Sequence, residues 1–218
     1  MIELTAEDHM IEPTKFALFV SVSLALIIAP GPDMLYVITR GITQGRRAGI
    51  LSALGVIGGI MIHTTAAAFG LTLIFQSSAF AFLLVKYVGA AYLIYLGFKA
   101  WRDKSTFSLQ TATSVVSYRL LFWQGVLSNV FNPKIAIFFL AFLPQFVDKD
   151  SSQAPWQMVS LGLMFAGLGL CFLLLVGYSS GAIGRWIAHR PDYTQFLQRV
   201  AGSILMGLGI RLAFTEQH

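Results

Sequence analysis

A chain of 218 residues that is 56% hydrophobic and only 11% charged, with a mean hydropathy of +0.71, does not have the make-up of a soluble domain, where roughly 45–50% apolar and about 25% charged residues are usual. Its formal charge of +5 would raise nucleic acid as a partner of a soluble protein, but the basic residues gather in short loops on one predicted side, which a membrane orientation explains without any polyanion. The single cysteine, Cys171, excludes an intramolecular disulfide and a cysteine-based metal cage.

The segment from Met1 to Lys15 carries Glu3, Glu7, Asp8 and Glu12 against one lysine. It lacks the basic start and small-residue cleavage site of a secretory signal, so the first apolar run is expected to be retained. Six apolar stretches follow: Phe16 to Arg40, Ala48 to Phe75, Ala79 to Trp101, Leu120 to Val147, Trp156 to Trp186 and Val200 to Phe214. Most reach about 20 residues, enough to cross roughly 30 Å of hydrocarbon at 1.5 Å per residue. The first is interrupted by Pro30, Gly31, Pro32 and Asp33 and the fourth by Asn132, Pro133 and Lys134. Proline removes a backbone donor and clashes with the preceding turn, so neither stretch is one unbroken helix.

Between the third and fourth stretches, Asp103 to Tyr118 holds seven Ser or Thr in sixteen residues, a composition that suits an exposed connection between two three-helix halves. The loops after the first, third and fifth stretches hold ten basic residues (Arg40, Arg46, Arg47, Lys99, Arg102, Lys104, Arg119, Arg185, Arg190, Arg199), against four on the other side (Lys15, Lys86, Lys149, Arg211). The excess places the odd loops in the cytoplasm and both termini outside. Trp101, Trp123, Trp156 and Trp186 all fall near predicted span ends, where indole favours the interface.

The halves resemble each other. Val88 to Lys99 in the third stretch aligns with Val200 to Arg211 in the sixth, with small residues early, Leu-Gly late and a base at the end. The two breaks correspond likewise. With three spans per half, the second half must be inverted relative to the first, the plan of many secondary transporters, whose sites lie at discontinuous helices. Small residues four apart, at Gly55/Gly59, Gly162/Ala166, Gly177/Gly181 and Ser203/Gly207, read as helix-packing faces. They are compatible with a homo-oligomer without specifying one.

The breaks carry the chemistry. An ionised Asp33 or Lys134 at the bilayer centre costs roughly 2.5–3.5 kcal/mol on insertion scales. Asn132 reads as an N-cap with Pro133 at the first helical position. Each second half-helix then points a positive end toward the middle while the preceding residues leave carbonyls free. Donor ends suit a carboxylate, and free carbonyls with Asp33 suit an ammonium, so a zwitterionic amino acid fits both. The alternative is that Asp33 and Lys134 only bond to backbone freed by the prolines. His63, in the middle of the second stretch, either carries a proton or bonds neutrally to a neighbouring helix. Asn129 and Gln124 are further polar candidates upstream of the second break. His9, His63, His189 and His218 are scattered and no carboxylate cluster has ligand spacing, so no metal is expected. No nucleotide loop, nucleophile motif or cofactor motif is found, which argues against an ATP-driven pump or an enzyme.

Ala29-Pro30-Gly31-Pro32-Asp33, Tyr92-Leu93-Ile94-Tyr95-Leu96-Gly97, Asn129-Val130-Phe131-Asn132-Pro133-Lys134, Phe142-Leu143-Pro144-Gln145-Phe146 and the Gly-rich final stretch ending in Arg211 together resemble the LysE/RhtB amino-acid exporter family over nearly the whole chain. The resemblance implies a bacterial inner-membrane carrier that exports an amino acid such as threonine, homoserine, leucine or a basic amino acid, coupled to the proton gradient. The long acidic N-terminus departs from the usual short start.

The expectation is therefore a single all-α integral membrane domain over residues 1–218: six transmembrane helices as two inverted three-helix repeats (about 16–101 and 120–214), joined by a cytoplasmic linker at about 103–118. The expected pathway residues are Pro30, Gly31, Pro32, Asp33, His63, Asn129, Asn132, Pro133 and Lys134. Asp33 would take the ammonium or a proton, the half-helix ends at Pro32 and Pro133 the carboxylate, and Lys134 would balance charge. Export of another small solute or cation, or a role in membrane assembly without transport, are the alternatives.

Overall fold

A computed structural model describes residues 13–71, 79–102, 116–147, 151, 153–180 and 191–214. The acidic N-terminal segment, most of the Ser/Thr-rich linker, Trp186 and His9, His189 and His218 lie outside the described residues.

The described residues are all helical: α1 (Pro13–Ile28), α2 (Pro32–Gln44), α3 (Arg46–Ala66, running into a π-helical turn Ala67–Leu71), α4 (Ala79–Arg102), α5 (Tyr118–Val130), α6 (Pro133–Ile137), α7 (Ala154–Tyr178) and α8 (Pro191–Phe214). Beyond α6 the chain continues through a π turn, Phe138–Phe142, and a 3₁₀ turn, Leu143–Phe146. Two helical segments, Arg46–Gly70 and Ala154–Tyr178, are each long and apolar enough to cross a membrane. The pairs α1–α2 and α5 with Pro133–Phe146 pass the same test together, bent by 48° and 50° at their prolines. Both expected breaks are therefore present, with almost the same bend.

Some boundaries differ from those expected. The last helix starts at Pro191 rather than Val200, because its first turns are polar and leave no mark in hydropathy although they are helical. α7 ends at Tyr178, and the expected span end at Trp186 lies outside the described residues. Lys86, counted above among the charges of the outer side, lies within α4 as its stretch Ala79 to Trp101 has it, and is buried.

α3 is the centre of the packing. A single residue, Gly45, joins it to α2 with φ +86°, a backbone region open to glycine at little cost, so α3 turns straight back beside α2. Its other faces are small. Gly55 and Gly59 lie against Phe122, Gly125 and Asn129 of parallel α5, and Gly49 against Gly177 of antiparallel α7. Gly162 of α7 lies against Thr64 of α3, so members of three of the small-residue pairs contribute to helix contacts, as close packing in lipid requires; Gly181 lies outside the described residues. Ser203 and Gly207 instead face outward, with open space above Gly207.

The two helices that align in sequence, α4 and α8, pack antiparallel on each other. A Cβ at Gly97 would lie 2.5 Å from Gly202 O, and one at Gly209 would lie 2.7 Å from Ala90 O. In the alignment Gly97 corresponds to Gly209 and Ala90 to Gly202, so exchanging the helices maps each contact onto the other. On another side of the fold, Phe19 of α1, Phe138, Phe142 and Phe146 beyond the second break, and Phe165 of α7 form a buried aromatic cluster, with ring centroids 4.8–6.1 Å apart. Such pairs add about 0.5–1.5 kcal/mol each beyond their area burial. Outside, Phe80, Phe131, Trp156 and Phe214 are exposed, as suits helices solvated by lipid.

The α4–α8 contact makes a direct prediction. Gly97→Val and Gly209→Val should each destabilise the purified protein in detergent by about 1–3 kcal/mol through overpacking. Gly207→Ala, facing open space, should stay within about 0.5 kcal/mol of wild type. Thermal unfolding of the three variants reads both outcomes.

Candidate functional site

Each break leaves a carbonyl that needs a new donor. Pro30 has no N–H to give Leu26 O, the acceptor one turn back in a regular helix. The Lys134 ammonium supplies it, 2.9 Å from Leu26 O and 3.0 Å from Ala29 O. At the second break Pro133 withholds the donor that Asn129 O would have received. Asn132 N reaches that oxygen at 2.9 Å, and His63 Nε2 lies 3.2 Å from it. A carbonyl only accepts, so the ring donates and its Nε2 carries a hydrogen. His63 is further held by stacking on Phe139, with ring centroids 5.8 Å apart.

The acid is held from the opposite break. Asp33 lies in the first turn of α2, behind Gly31 as N-cap and Pro32 at the first helical position. Its Oδ1 accepts from Ser128 Oγ at 3.0 Å, and its Oδ2 from Asn129 Nδ2 at 2.7 Å and Asn132 Nδ2 at 2.9 Å. Three neutral donors around a buried carboxylate satisfy the charged form without a cation. Asn132 does two tasks with one amide: its Oδ1 accepts from Lys134 N at 3.1 Å, making the expected N-cap, while its Nδ2 turns to Asp33.

Asp33 and Lys134 form no ion pair among the described residues. The charges are exchanged between breaks: the acid of the first is held by side chains of the second, and the base of the second by carbonyls of the first. The two possibilities left open by the sequence therefore divide. Lys134 bonds to the backbone that proline freed; Asp33 does not. The exchange has a near-twofold pattern, because Gly31 and Asn132 are the two N-caps and Asp33 and Lys134 follow at the same place. Asp33 touches Asn132, and a Cβ on Gly31 would lie 3.1 Å from Lys134 Nζ, so a larger N-cap would crowd the ammonium.

A cavity of about 30 Å³ lies against Gly31, Asp33, Asn129 and Lys134, walled by Leu26, Met34, Ile60 and Phe165. That is space for one or two water molecules, far below the volume of a usual small-molecule site. All nine expected pathway residues lie at the two breaks or in contact with them. Gln124 stands apart, two turns along α5 near the Arg40 guanidinium. Ser128 and Tyr36 were missed. Gln124, Ser128 and Asn132 recur every four residues, the spacing of one helix face, and Tyr36 is one turn from Asp33; that periodicity was the available signal. No group of three or more His, Cys, Asp or Glu side chains placed to hold a metal occurs among the described residues.

A helical membrane protein in which two proline-broken helices meet and exchange charged side chains has the construction of a carrier. The chain belongs to the LysE-type translocator family, whose match covers residues 24–216, and is a transporter rather than an enzyme. It is 30% identical over 202 residues to the uncharacterized membrane protein YrhP of Bacillus subtilis, covering 88% of this chain and 95% of that protein. It is 32% identical over 193 residues to the homoserine/homoserine lactone efflux protein of Salmonella typhimurium, covering 88% and 92%. With the leucine efflux protein of Salmonella typhi it shares 26% identity over 192 residues, covering 88% and 91%. No solved structure matches the chain.

Removing the lysine should cost more than removing the histidine. Lys134→Met leaves two carbonyls without their donor, at about 1–3 kcal/mol for each buried group left unpaired. His63→Leu leaves Asn129 O with the Asn132 N–H and should cost only about 0.5–1.5 kcal/mol. Thermal unfolding in detergent ranks them, and the opposite order would contradict the bonding described here.

Proposed function

We propose that this protein is a secondary exporter of an amino acid in the bacterial inner membrane, driven by the proton gradient. It has six spans in two inverted three-helix halves, about 16–101 and 120–214, with the linker at about 103–118 in the cytoplasm and both termini outside. The paired bends at the two breaks, the reciprocal contacts of Asp33 and Lys134, and the exchangeable α4–α8 contacts support the inverted plan. The excess of basic residues in the odd loops supports the orientation, and the names of the homoserine and leucine efflux relatives support the substrate class.

One observation carries the chemistry: an acid and a base face one small cavity without being paired to each other. Asp33, whose partners are all neutral donors, keeps lone pairs for an ammonium. The Lys134 ammonium has three hydrogens and two carbonyl partners, which leaves one hydrogen for a carboxylate, beside the N-terminus of α2. The equivalent end at Pro133 is partly engaged by the Asn132 cap, so the carboxylate falls to the α2 end and Lys134. Asn129 and Asn132 hold the Asp33 carboxylate in place, and His63 supports the second break. A proton and a substrate ammonium cannot both occupy Asp33. That competition couples outward movement of the amino acid to inward movement of a proton.

The test is efflux of a panel of radiolabelled amino acids from loaded cells of an export-deficient host, with and without a proton gradient. Wild type should export at least one of them, faster with the gradient. Asp33→Asn, at equal expression, should lower that efflux at least tenfold. Unchanged efflux in Asp33→Asn would remove the residue from the mechanism, and no efflux of any amino acid by wild type would remove the substrate class.

A further inference from the structure

The break is one end of a longer polar seam. From Asp33, α2 runs antiparallel to α5, and the two are joined at successive turns along one face. Beyond the Asp33 level, Tyr36 Oη donates to Leu121 O at 2.7 Å. Arg40 Nη2 donates to Gln124 Oε1 at 3.1 Å and Nη1 to Gln44 Oε1 at 3.4 Å. Gln44 Nε2 then donates to Val116 O at 2.9 Å, and Val116 N returns a bond to Gln44 Oε1 at 3.2 Å.

The corresponding seam of the other half, between α1 and Pro133–Phe146, is built from different material. Past Lys134 it continues as Phe138, Phe142 and Phe146, with Phe19 facing Phe138 and Phe146 across it. One seam is dry and aromatic; the other is hydrogen-bonded throughout. Parting the aromatic seam exposes apolar surface to water with nothing in return, whereas parting the polar one exchanges protein hydrogen bonds for water or ligand bonds, which return much of what each bond was worth. The polar seam is the one that yields first.

Arg40 is the distinctive member. It is a partly buried guanidinium whose hydrogen-bond partners are the two amide oxygens of Gln44 and Gln124, with the Tyr36 ring 5.8 Å from its central carbon. Its planar fork matches a carboxylate, which it binds through two parallel N–H···O bonds with opposite charges facing, where each amide oxygen offers one neutral acceptor. It stands seven residues from Asp33, about 10 Å along the helix at 1.5 Å per residue, on the side of the basic residues Arg46 and Arg47.

We propose that the Tyr36–Arg40–Gln44–Gln124 cluster is the cytoplasmic gate, and that Arg40 is an entry subsite for the substrate carboxylate. The incoming carboxylate takes the guanidinium from Gln124, which releases α2 from α5 and opens the way to the cavity at Asp33. The aromatic seam keeps the outer side shut meanwhile. This rests on the reading of the chain as an amino-acid exporter for the identity of the ligand, but not for the existence of the gate.

The experiment places a cysteine at Met34, on the cavity wall, in a Cys171→Ser background of the full chain. Labelling by a membrane-impermeant maleimide is followed in inside-out vesicles. Gln124→Ala, which removes the latch, should speed labelling at least fivefold. Gln124→Glu, which puts a carboxylate on Arg40, should slow it below the parent. Leucine, threonine and lysine are tested as free acids and as methyl esters: at least one transported free acid should speed labelling of the parent, while its ester should not. Ile27→Cys, on the same cavity, serves as probe if Met34→Cys does not fold. Equal labelling with Gln, Ala and Glu at position 124 overturns the gate, and an ester as effective as its acid overturns the carboxylate subsite. Because the Ala and Glu comparison needs no substrate, a labelling response without amino-acid efflux would keep the gate and reject the exporter reading. Efflux without a labelling response would do the reverse.

Discussion

A proline inside a membrane helix withholds one backbone donor and leaves one carbonyl unpaired, and in hydrocarbon no water is at hand to repair it. Much of the centre of this transporter answers that constraint. Leu26 O needs a donor because residue 30 is proline, and Lys134 arrives from the other half of the chain. Asn129 O needs one because residue 133 is proline, and it receives both a tight turn from Asn132 and the His63 ring. Once Lys134 is committed to carbonyls it does not neutralise Asp33, so the acid is met by three neutral donors instead. What would otherwise be a buried ion pair becomes two separately solvated charges facing a common cavity.

This separation has a mechanical consequence. Lys134 of the second half satisfies the first break and His63 of the first half braces the second, so moving the two halves apart unpairs buried polar groups, each at a cost of about 1–3 kcal/mol. In the proposed mechanism a ligand carrying both an ammonium and a carboxylate offsets that loss, because it would bring the missing donor and acceptor together. Binding and helix separation are then linked by the same hydrogen bonds. The small size of the cavity fits such a linkage.

The breaks were fully legible in the chain. Proline at 30, 32 and 133 dictates them whatever surrounds them, and the N-cap of the second follows from Asn132; Gly31 as the N-cap of the first came from the structure. Part of the helix packing was legible as well, since Gly55, Gly59, Gly162 and Gly177 mark places where backbones can meet, whereas Gly207 faces open space and the contacts at Gly97 and Gly209 were not singled out. Ser128 and Tyr36 were not singled out, because a lone serine or tyrosine in an apolar helix has many uses, and only the neighbour it meets distinguishes them. Lys86 was counted with the outer-side charges although its stretch begins at Ala79, because hydropathy records that a charge is present in an apolar run but not whether its side chain is buried there. The same blindness hid the polar first turns of α8.

The sequence by itself determined that this is a helical membrane protein, where two of its helices break, and that an acid and a base sit at those breaks, because proline chemistry and the length of apolar runs act locally. Only the tertiary structure decided which carbonyl each donor reaches, that Asp33 and Lys134 are held apart by partners from opposite breaks, and that one seam beside the site is polar and the other aromatic. Those outcomes depend on which helix faces meet, and residues a hundred positions apart are brought to 3 Å by packing that no local pattern specifies.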